Sequence, residues 1–437
     1  MKILKFGGTS VGTVQNMINV KNIINNGGKK IIVLSAMSGT TNALVSISNN
    51  IERGNKTGAL QIIEKLVDDY NKVVLELLNS SELSQEVGNY LDLIFNELRS
   101  YIDEKYSVLL SNKIVSKGEL LSTFIFSRFL IQEGIKTCLF SALDFMRIDR
   151  NKDPDNFYIK KNLNRMIDEF LPANIYITQG FICLDADGNL SNLQRGGSDY
   201  TATIIGSVIE VDEIQIWTDI DGFHNNDPRF VENTHAISNL SFDEAAELAY
   251  FGAKILHPQT VMPIRELGIP VRLKNTMQPN AKGTLISNEV HGEGIKAIAA
   301  KDNITAIKIK SARMLLAYGF LKKVFEIFEK HETSIDMITT SEIAISLTID
   351  DDTFLRSIVS ELEKFARVQV DRNQSIVCLV GNSIIYHQDT HQLFQVLQDV
   401  NIRMISYGGS NNNISLLVNT DDKIKTLQKV HNYVFVE

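Results

Sequence analysis

MKILKFGGTSVG, residues 1–12, carries a short apolar strand, Ile3 to Phe6, straight into Gly7-Gly8-Thr9-Ser10, with Lys5 set just before the glycines. Glycines let a backbone take positive φ and come close to a ligand, and N–H groups at a following helix start attract anions. Lys5 adds a point charge at the same place. The stretch outlines a phosphate cradle at the end of a strand in an α/β sheet. It is neither of two familiar nucleotide loops: GxxxxGK[ST] places its lysine after the glycines, and GxGxxG is absent. A tight strand-to-helix turn would use the same residues, so the stretch alone leaves both readings open.

Working outward, Ile31 to Leu34, Lys136 to Phe140, Ile175 to Thr178 and Ile214 to Trp217 are further short apolar runs separated by helical patterns. Strands alternating with helices predict an α/β fold, a mostly parallel sheet sandwiched by helices. Lys56 to Ile102 is helical and amphipathic, with Leu66, Tyr70, Val73, Val74 and Leu77 on one face. It reads either as a lid or subunit-facing excursion or as a plain structural helix pair. The stretch from Gln278 to Gly294, rich in Gly, Asn and Pro, marks a boundary. Beyond it, VFEIFEKHETSIDMITTSEIAISLTI is repeated in looser form by LFQVLQDVNIRMISYGGSNNNISLLV. This predicts an internal duplication of a small βαββαβ unit.

Composition narrows the function classes. The chain has 437 residues, 44% of them apolar, which suits roughly two to four packed domains. Its net charge is -8 without long like-charge blocks, so no nucleic-acid footprint is visible. Cys138, Cys183 and Cys378 lie far apart in apolar runs and read as reduced core thiols of a cytoplasmic protein. No metal-ligand spacing, signal peptide or membrane-spanning apolar run is present.

Four further constellations could carry chemistry. Arg195-Gly196-Gly197-Ser198-Asp199 sits before an apolar helix, where Arg195 offers a planar fork for a carboxylate and Asp199 could orient a lysine ammonium; equally, Ser198 or Asp199 could cap the helix. Thr218-Asp219-Ile220-Asp221-Gly222 and Asp227-Pro228-Arg229 could seat a base and ribose, although both are ordinary turn formers. Ser241 to Glu244 has capping-box spacing and opens a helix expected from Ala245 to Ile255, in whose last turn Lys254 could reach a phosphate or simply complement the helix dipole. Ser116 to Glu119 has the same spacing, and from spacing alone Glu119 reads first as a capping residue, second as a partner for a substrate ammonium.

KFGGTSV at 5–11, SAMSGTTN at 35–42, KGE at 117–119, TQGFI at 178–182, RGGSD at 195–199, WTDIDG at 217–222, DPR at 227–229 and FGAKILHP at 251–258 together resemble the aspartate kinases, in order and spacing. The resemblance spans the chain and extends into GFLKKVFEIFEKH and SIDMITTSE, which look like the first regulatory ACT unit of lysine-sensitive monofunctional members. It implies an amino acid kinase domain over 1–285, a linker and first strand of the second ACT unit over 286–303, an inserted first ACT unit over 304–375, and the rest of the second over 376–437. It further implies ATP-dependent phosphorylation of the L-aspartate β-carboxylate, feedback-inhibited by lysine, as the first step toward lysine, threonine and methionine. The implied cofactors are ATP and Mg²⁺ bound through its phosphates, the implied assembly a homo-oligomer through the ACT units, with neither nucleic acid nor membrane as partner.

Carried over by motif, Lys5, Asp199 and Lys254 are the implied catalytic residues. Lys5, Gly7, Gly8, Ser10, Thr218, Asp219, Arg229 and Lys254 match ATP-side positions, and Ser35, Thr41, Glu119, Phe181, Arg195 and Ser198 match aspartate-side positions. Phe223-His224 stands where relatives often have a tyrosine, and Leu316-Ala317-Tyr318 replaces a more polar stretch of some lysine-sensitive members. The duplication adds one inference of its own. Asp336 aligns with Arg403, and since an acid suits an effector ammonium where a base does not, the effector site is expected at the first unit, near Met314, Gly319, Phe320, Leu321, Ser334, Ile335, Asp336, Thr340 and Ser341.

Overall fold

The computed structural model describes residues 1–169, 173–193, 196–252, 256–311 and 318–436, with residues 258, 388 and 389 described in backbone only. In chain order the elements begin with β1 (Lys2–Phe6), α1 (Val14–Ile24), β2 (Lys30–Leu34), α2 (Thr40–Glu52), α3 (Lys56–Leu77), α4 (Ser81–Ser100), α5 (Val108–Val115) and α6 (Lys117–Gln132). There follow β3 (Thr137–Phe140), α7 (Asn156–Glu169), β4 (Ile175–Gln179), a hairpin of β5 (Ile182–Leu184) and β6 (Leu190–Asn192), α8 (Gly197–Ile209), β7 (Glu213–Thr218), β8 (Asn239–Ser241), α9 (Phe242–Tyr250), α10 (Pro258–Arg265), β9 (Val271–Asn275) and β10 (Thr284–Ser287). The last part holds β11 (Gly294–Lys310), α11 (Phe320–Lys330), β12 (Ile338–Thr340), β13 (Ala344–Ile349), α12 (Leu355–Leu362), β14 (Arg367–Asn382), α13 (Gln388–Val396), β15 (Met404–Ser406), β16 (Asn413–Asn419) and α14 (Lys423–His431).

The chain divides into two compact units, one of residues 1–222 and 256–288, the other of 223–255 and 289–437. In the first, β3-β4-β2-β1-β7-β9-β10 lie side by side, and every neighbouring pair is parallel except β9 with β10. All five runs read as strands from the sequence are present, and β2 and β4 are buried along their whole length, as a sheet covered on both faces requires. The amphipathic stretch of 56–102 is the antiparallel pair α3 and α4. Tyr70, Val74 and Leu77 from one helix and Leu91, Phe95 and Leu98 from the other enter the same core as Leu34, Leu44 and Phe126. Tyr70 and Phe95 meet edge to face at 6.0 Å, and the Tyr70 hydroxyl bonds Thr40, so the pair is a structural part of this unit.

The second unit is organised by a six-stranded sheet, β12-β13-β11-β14-β16-β15. Its two halves are ACT units that share their longest strands. Residues 305–310 of β11 pair with β13 and 304–310 with 367–374 of β14, whereas 294–301 pair with 376–382, and β14 pairs with β16 over 374–380. Each half has its own core: Ile307, Phe320, Phe328, Leu347 and Ile358 in one, Val377, Leu379, Leu393, Leu416 and Leu427 in the other. Asn303 and Asn373 take left-handed backbone, φ 63 and 56, near the register breaks where the strands pass from one half to the other. Asparagine tolerates that conformation better than β-branched neighbours would. The Gln278–Gly294 stretch, read as a boundary, still contains β10, and the second unit resumes only at Glu289.

One close approach fixes the shared-strand junction. A Cβ built on Gly381 would stand 2.0 Å from the Gly294 carbonyl, so the two long strands can pair there only if this residue is glycine. Gly381→Ala should cost about 1 to 3 kcal/mol through forced separation of β11 and β14. Thermal unfolding monitored by circular dichroism checks this, and an unchanged midpoint would contradict it.

Candidate active site

A parallel sheet brings the carboxyl ends of its strands to one edge, and ligands bind in the crevice outside that edge. Here the ends of β1, β2, β4 and β7 deliver Lys5, Ser35, Phe181 and Thr218, while α8 begins at the same edge with Ser198 and Asp199. Lys5 is 9% exposed and places Nζ 2.7 Å from Asp199 Oδ1. The Ser35 hydroxyl donates to Ser198 Oγ at 2.9 Å. Phe181 holds φ 67, a rare conformation for an aromatic residue, and its N–H donates to Thr201 Oγ1 on α8. Gly180 must be glycine, because a Cβ there would lie 2.3 Å from Ser198. That close fit went unnoticed in the sequence, where Gly180 is one residue among several in TQGFI.

The glycine pair differs from the sequence expectation. Neither Gly7 nor Gly8 has positive φ, and the Gly7 N–H donates to the Trp217 carbonyl at 3.1 Å instead of pointing at a ligand. What the glycines supply is space. A Cβ on Gly8 would meet the Ala36 carbonyl at 2.9 Å, and the bare face of Gly7 looks toward Lys5 Nζ. Ser10 is fully buried, with its hydroxyl 2.7 Å from Thr276 Oγ1 and within reach of the Trp217 carbonyl, so it ties the loop to the end of β7.

Glu119 corrects a second expectation. Ser116 has helical backbone, φ -63 and ψ -20, and makes no capping bond; its hydroxyl donates to the Lys113 carbonyl. The chain passes from α5 into α6 without leaving helical geometry, so there is no open N-terminus to cap. The Glu119 carboxylate instead accepts the Ala36 N–H at 3.2 Å through Oε1, while buried Oε2 has no hydrogen-bond partner. Burial pushes its pKa up to about 7, against the Ala36 hydrogen bond and the Lys5 charge. At Ser241 and Glu244, by contrast, both reciprocal bonds of a capping box are made.

The remaining positions are less concentrated. Thr41 lies in the first turn of α2, after Gly39 at φ 84. Thr218 donates to Asp219 Oδ1 at 3.1 Å at the end of β7. Arg229, 76% exposed, closes its fork on Asp227 at 2.6 Å and falls in the second unit, where Phe223 is a core residue. Arg195, Lys254, Met314, Leu316 and Ala317 lie outside the described residues. Among the described residues no group of three or more His, Cys, Asp or Glu could hold a metal ion. Among the described residues no helix is long and apolar enough to cross a membrane.

In the second unit, Asp336 and Arg403 occupy matching places: the Asp336 N–H donates to the Thr348 carbonyl on β13, and the Arg403 N–H to the Leu417 carbonyl on β16. Asp336 is not a solvated turn residue, since its side chain has no exposed surface. Gly319, at φ 81, starts α11; Phe320 is buried against Phe365, and Leu321 is exposed. Ser334, Thr340 and Ser341 are exposed and Ile335 packs on the half's core. Sequence reading missed Tyr250 and Lys301, which hold Asp336 from elements remote in the chain; no local pattern marks either.

Residues 1–275 match the amino acid kinase family, and residues 307–359 and 377–433 match the ACT domain. The chain is 34% identical to lysine-sensitive aspartokinase 3 of Escherichia coli (strain K12), covering 99% of both proteins. It is 36% identical to the chloroplastic aspartokinase 1 of Arabidopsis thaliana, over 99% of this chain and 80% of that protein. The crystal structure of E. coli aspartokinase III in complex with aspartate and ADP superimposes with a TM-score of 0.86 at 33% identity, covering 100% of both chains. With that agreement of sequence and fold over its whole length, the chain belongs to the aspartokinases of the amino acid kinase family.

Proposed function

We propose that this protein transfers the γ-phosphoryl group of ATP to the β-carboxylate of L-aspartate, giving 4-phospho-L-aspartate and ADP, and that lysine inhibits it. The observation that carries the reading is the Lys5–Asp199 ion pair standing beside the bare face of Gly7, with the Ser35 and Ser198 hydroxyls at the same sheet edge. A solved relative binds aspartate and ADP, and another structure of it holds lysine and aspartate.

The chemistry asks little proton transfer of the protein. A carboxylate with an ordinary pKa near about 4 is ionised at neutral pH and needs no general base. Its oxygen bonds to phosphorus as the bridging oxygen departs with ADP. Catalysis then rests on alignment and on neutralising charge at the moving phosphoryl. Lys5, held by Asp199, is aimed for that task, and Lys254 is its second cation by resemblance. Arg195 is assigned the substrate α-carboxylate and Glu119, with Oε2 bare, its α-ammonium. Thr218, Asp219 and Arg229 take the nucleotide side; Thr41 and Phe181 line the aspartate side. Mg²⁺ would come bound to the ATP phosphates, where it offsets charge on the transferring group. In the same reading the enzyme works in the cytoplasm and self-associates through its ACT units, and lysine binds at the first of these, around Asp336.

An ATP-dependent aspartyl hydroxamate assay, with and without lysine and threonine, tests catalysis and regulation together; no hydroxamate formation would reject the proposal. Lys5→Met should lower kcat about a hundredfold or more with aspartate KM changed only a few-fold, as loss of a transition-state cation does. A kcat within threefold of the parent would remove Lys5 from the mechanism.

Glu119 generates a pH signature. Its folded pKa, about 7, is raised from 4.5, so the stability its neutral form contributes is present below about pH 4.5 and is lost as pH rises through 7. Binding an ammonium requires the ionised form. Aspartate KM should therefore be about tenfold higher at pH 6 than at pH 8. In Glu119→Gln it should be raised at pH 8 and nearly flat over that range; parallel profiles for the two proteins would place the ammonium elsewhere.

A further inference from the structure

Asp336 is held by two residues that neither the fold nor the catalytic reading uses. Lys301, on β11, stands 2.8 Å from Asp336 Oδ1 and 2.8 Å from Asp350 Oδ2, and its Nζ lies 4.5 Å from the centre of the Tyr250 ring. The Tyr250 hydroxyl donates to the same Asp336 Oδ1 at 2.8 Å. Asp336 Oδ2 is buried and has no hydrogen-bond partner. One oxygen of a desolvated carboxylate thus carries two donors and the other none, so its lone pairs can still accept a cationic donor.

Tyr250 is the last residue of α9, and that helix is fastened to the regulatory sheet along its length. Glu244, 1% exposed in its side chain, pairs with Lys296 of β11 at 2.7 Å, and Asn413 of β16 donates to Glu247 at 2.6 Å. Two residues after Tyr250, Gly252 has φ 129, and a Cβ there would fall 2.1 Å from the Ala300 carbonyl, next to Lys301. The backbone therefore lies directly on β11 just before Lys254, which follows Tyr250 by four positions in the chain.

We infer that Tyr250 is the positioning residue through which an ammonium-bearing effector at Asp336 acts on the segment that carries Lys254. The inference rests on the reading of Asp336 as the effector's ammonium acceptor. An ammonium arriving at Oδ2 makes a stronger partner for the carboxylate than a neutral phenol does, and the phenol is the donor that yields. That bond is one of several holds on this helix and its end, beside Gly252 lying on β11, so its loss shifts the segment toward the inhibited arrangement without alone placing it there, while Glu244 and Glu247 keep the start of α9 in place. Donors on the two oxygens draw on one carboxylate charge, so the effector's ammonium and the Tyr250 hydroxyl compete for Asp336, and a protein lacking the Tyr250 bond binds effector more tightly.

The test uses the full chain, comparing the parent with Tyr250→Phe and Asp336→Asn. For Tyr250→Phe, kcat and both KM values without lysine should stay within twofold of the parent, with half-inhibition at a lysine concentration several-fold to about tenfold lower. Asp336→Asn should be insensitive to lysine. Half-inhibition unchanged or raised in Tyr250→Phe, beside an insensitive Asp336→Asn, overturns the inference and leaves the effector reading standing. A fall in uninhibited kcat beyond fivefold in Tyr250→Phe also overturns it, since the ring would then be part of the catalytic arrangement. A parent that lysine does not inhibit, or an Asp336→Asn protein that it still does, overturns both.

Discussion

Every strand of the first unit's sheet but the antiparallel β10 ends on the same edge, and β1, paired on both sides, fixes where that edge has chemistry. Its backbone register with β2 and β7 sets Phe6 beside Leu34 and Trp217, so the three strand ends that follow stand level with one another. Lys5 then needs an acid across the edge, and α8 supplies Asp199 in its first turn, where the helix also favours a negative charge. The ion pair sits mostly out of water, and a cation so placed is held in one direction for an incoming phosphate. Residues nearly two hundred positions apart meet there because parallel strands must be joined by crossovers, with each crossover returning the chain to the same side.

Much of this was legible in the sequence for a physical reason. Buried parallel strands leave continuous apolar runs, and Ile31 to Leu34 or Ile175 to Thr178 can hardly be read otherwise. Amphipathic helices leave a stripe, which is how Leu66, Tyr70, Val74 and Leu77 were found on one buried face. Spacing alone points to Glu119 as a capping residue, but spacing does not reveal whether a helix start is free. Here α5 runs into α6, and the carboxylate was available for Ala36 instead. Gly7 and Gly8 suggest backbone freedom beside a ligand, whereas the freedom they use is the space that lets Ala36 and Lys5 approach. Close approach is a property of two segments, and neither segment alone records it.

The same limit explains the surroundings of Asp336. The duplication picked out the residue, since its counterpart Arg403 carries the opposite charge at a matching backbone position. Arg403 has found an acid of its own, Asp371 on β14, so each half uses the position for an ion pair of opposite polarity. Tyr250 and Lys301 come from outside the repeated segment and leave no trace in it. A repeat comparison finds what differs between two copies; what each copy has recruited from the rest of the chain appears only in three dimensions.

The long strands β11 and β14 have a bearing on how such proteins can be recombined. Because each strand serves both ACT halves, an exchange of one half with a relative must cut two strands in mid-length and rejoin them in register, or leave open edges on both sides of the cut. An exchange of the pair severs no such pairing. The halves are two units by shape and by core, yet in the traffic of gene fusion and domain shuffling they amount to one inheritable module.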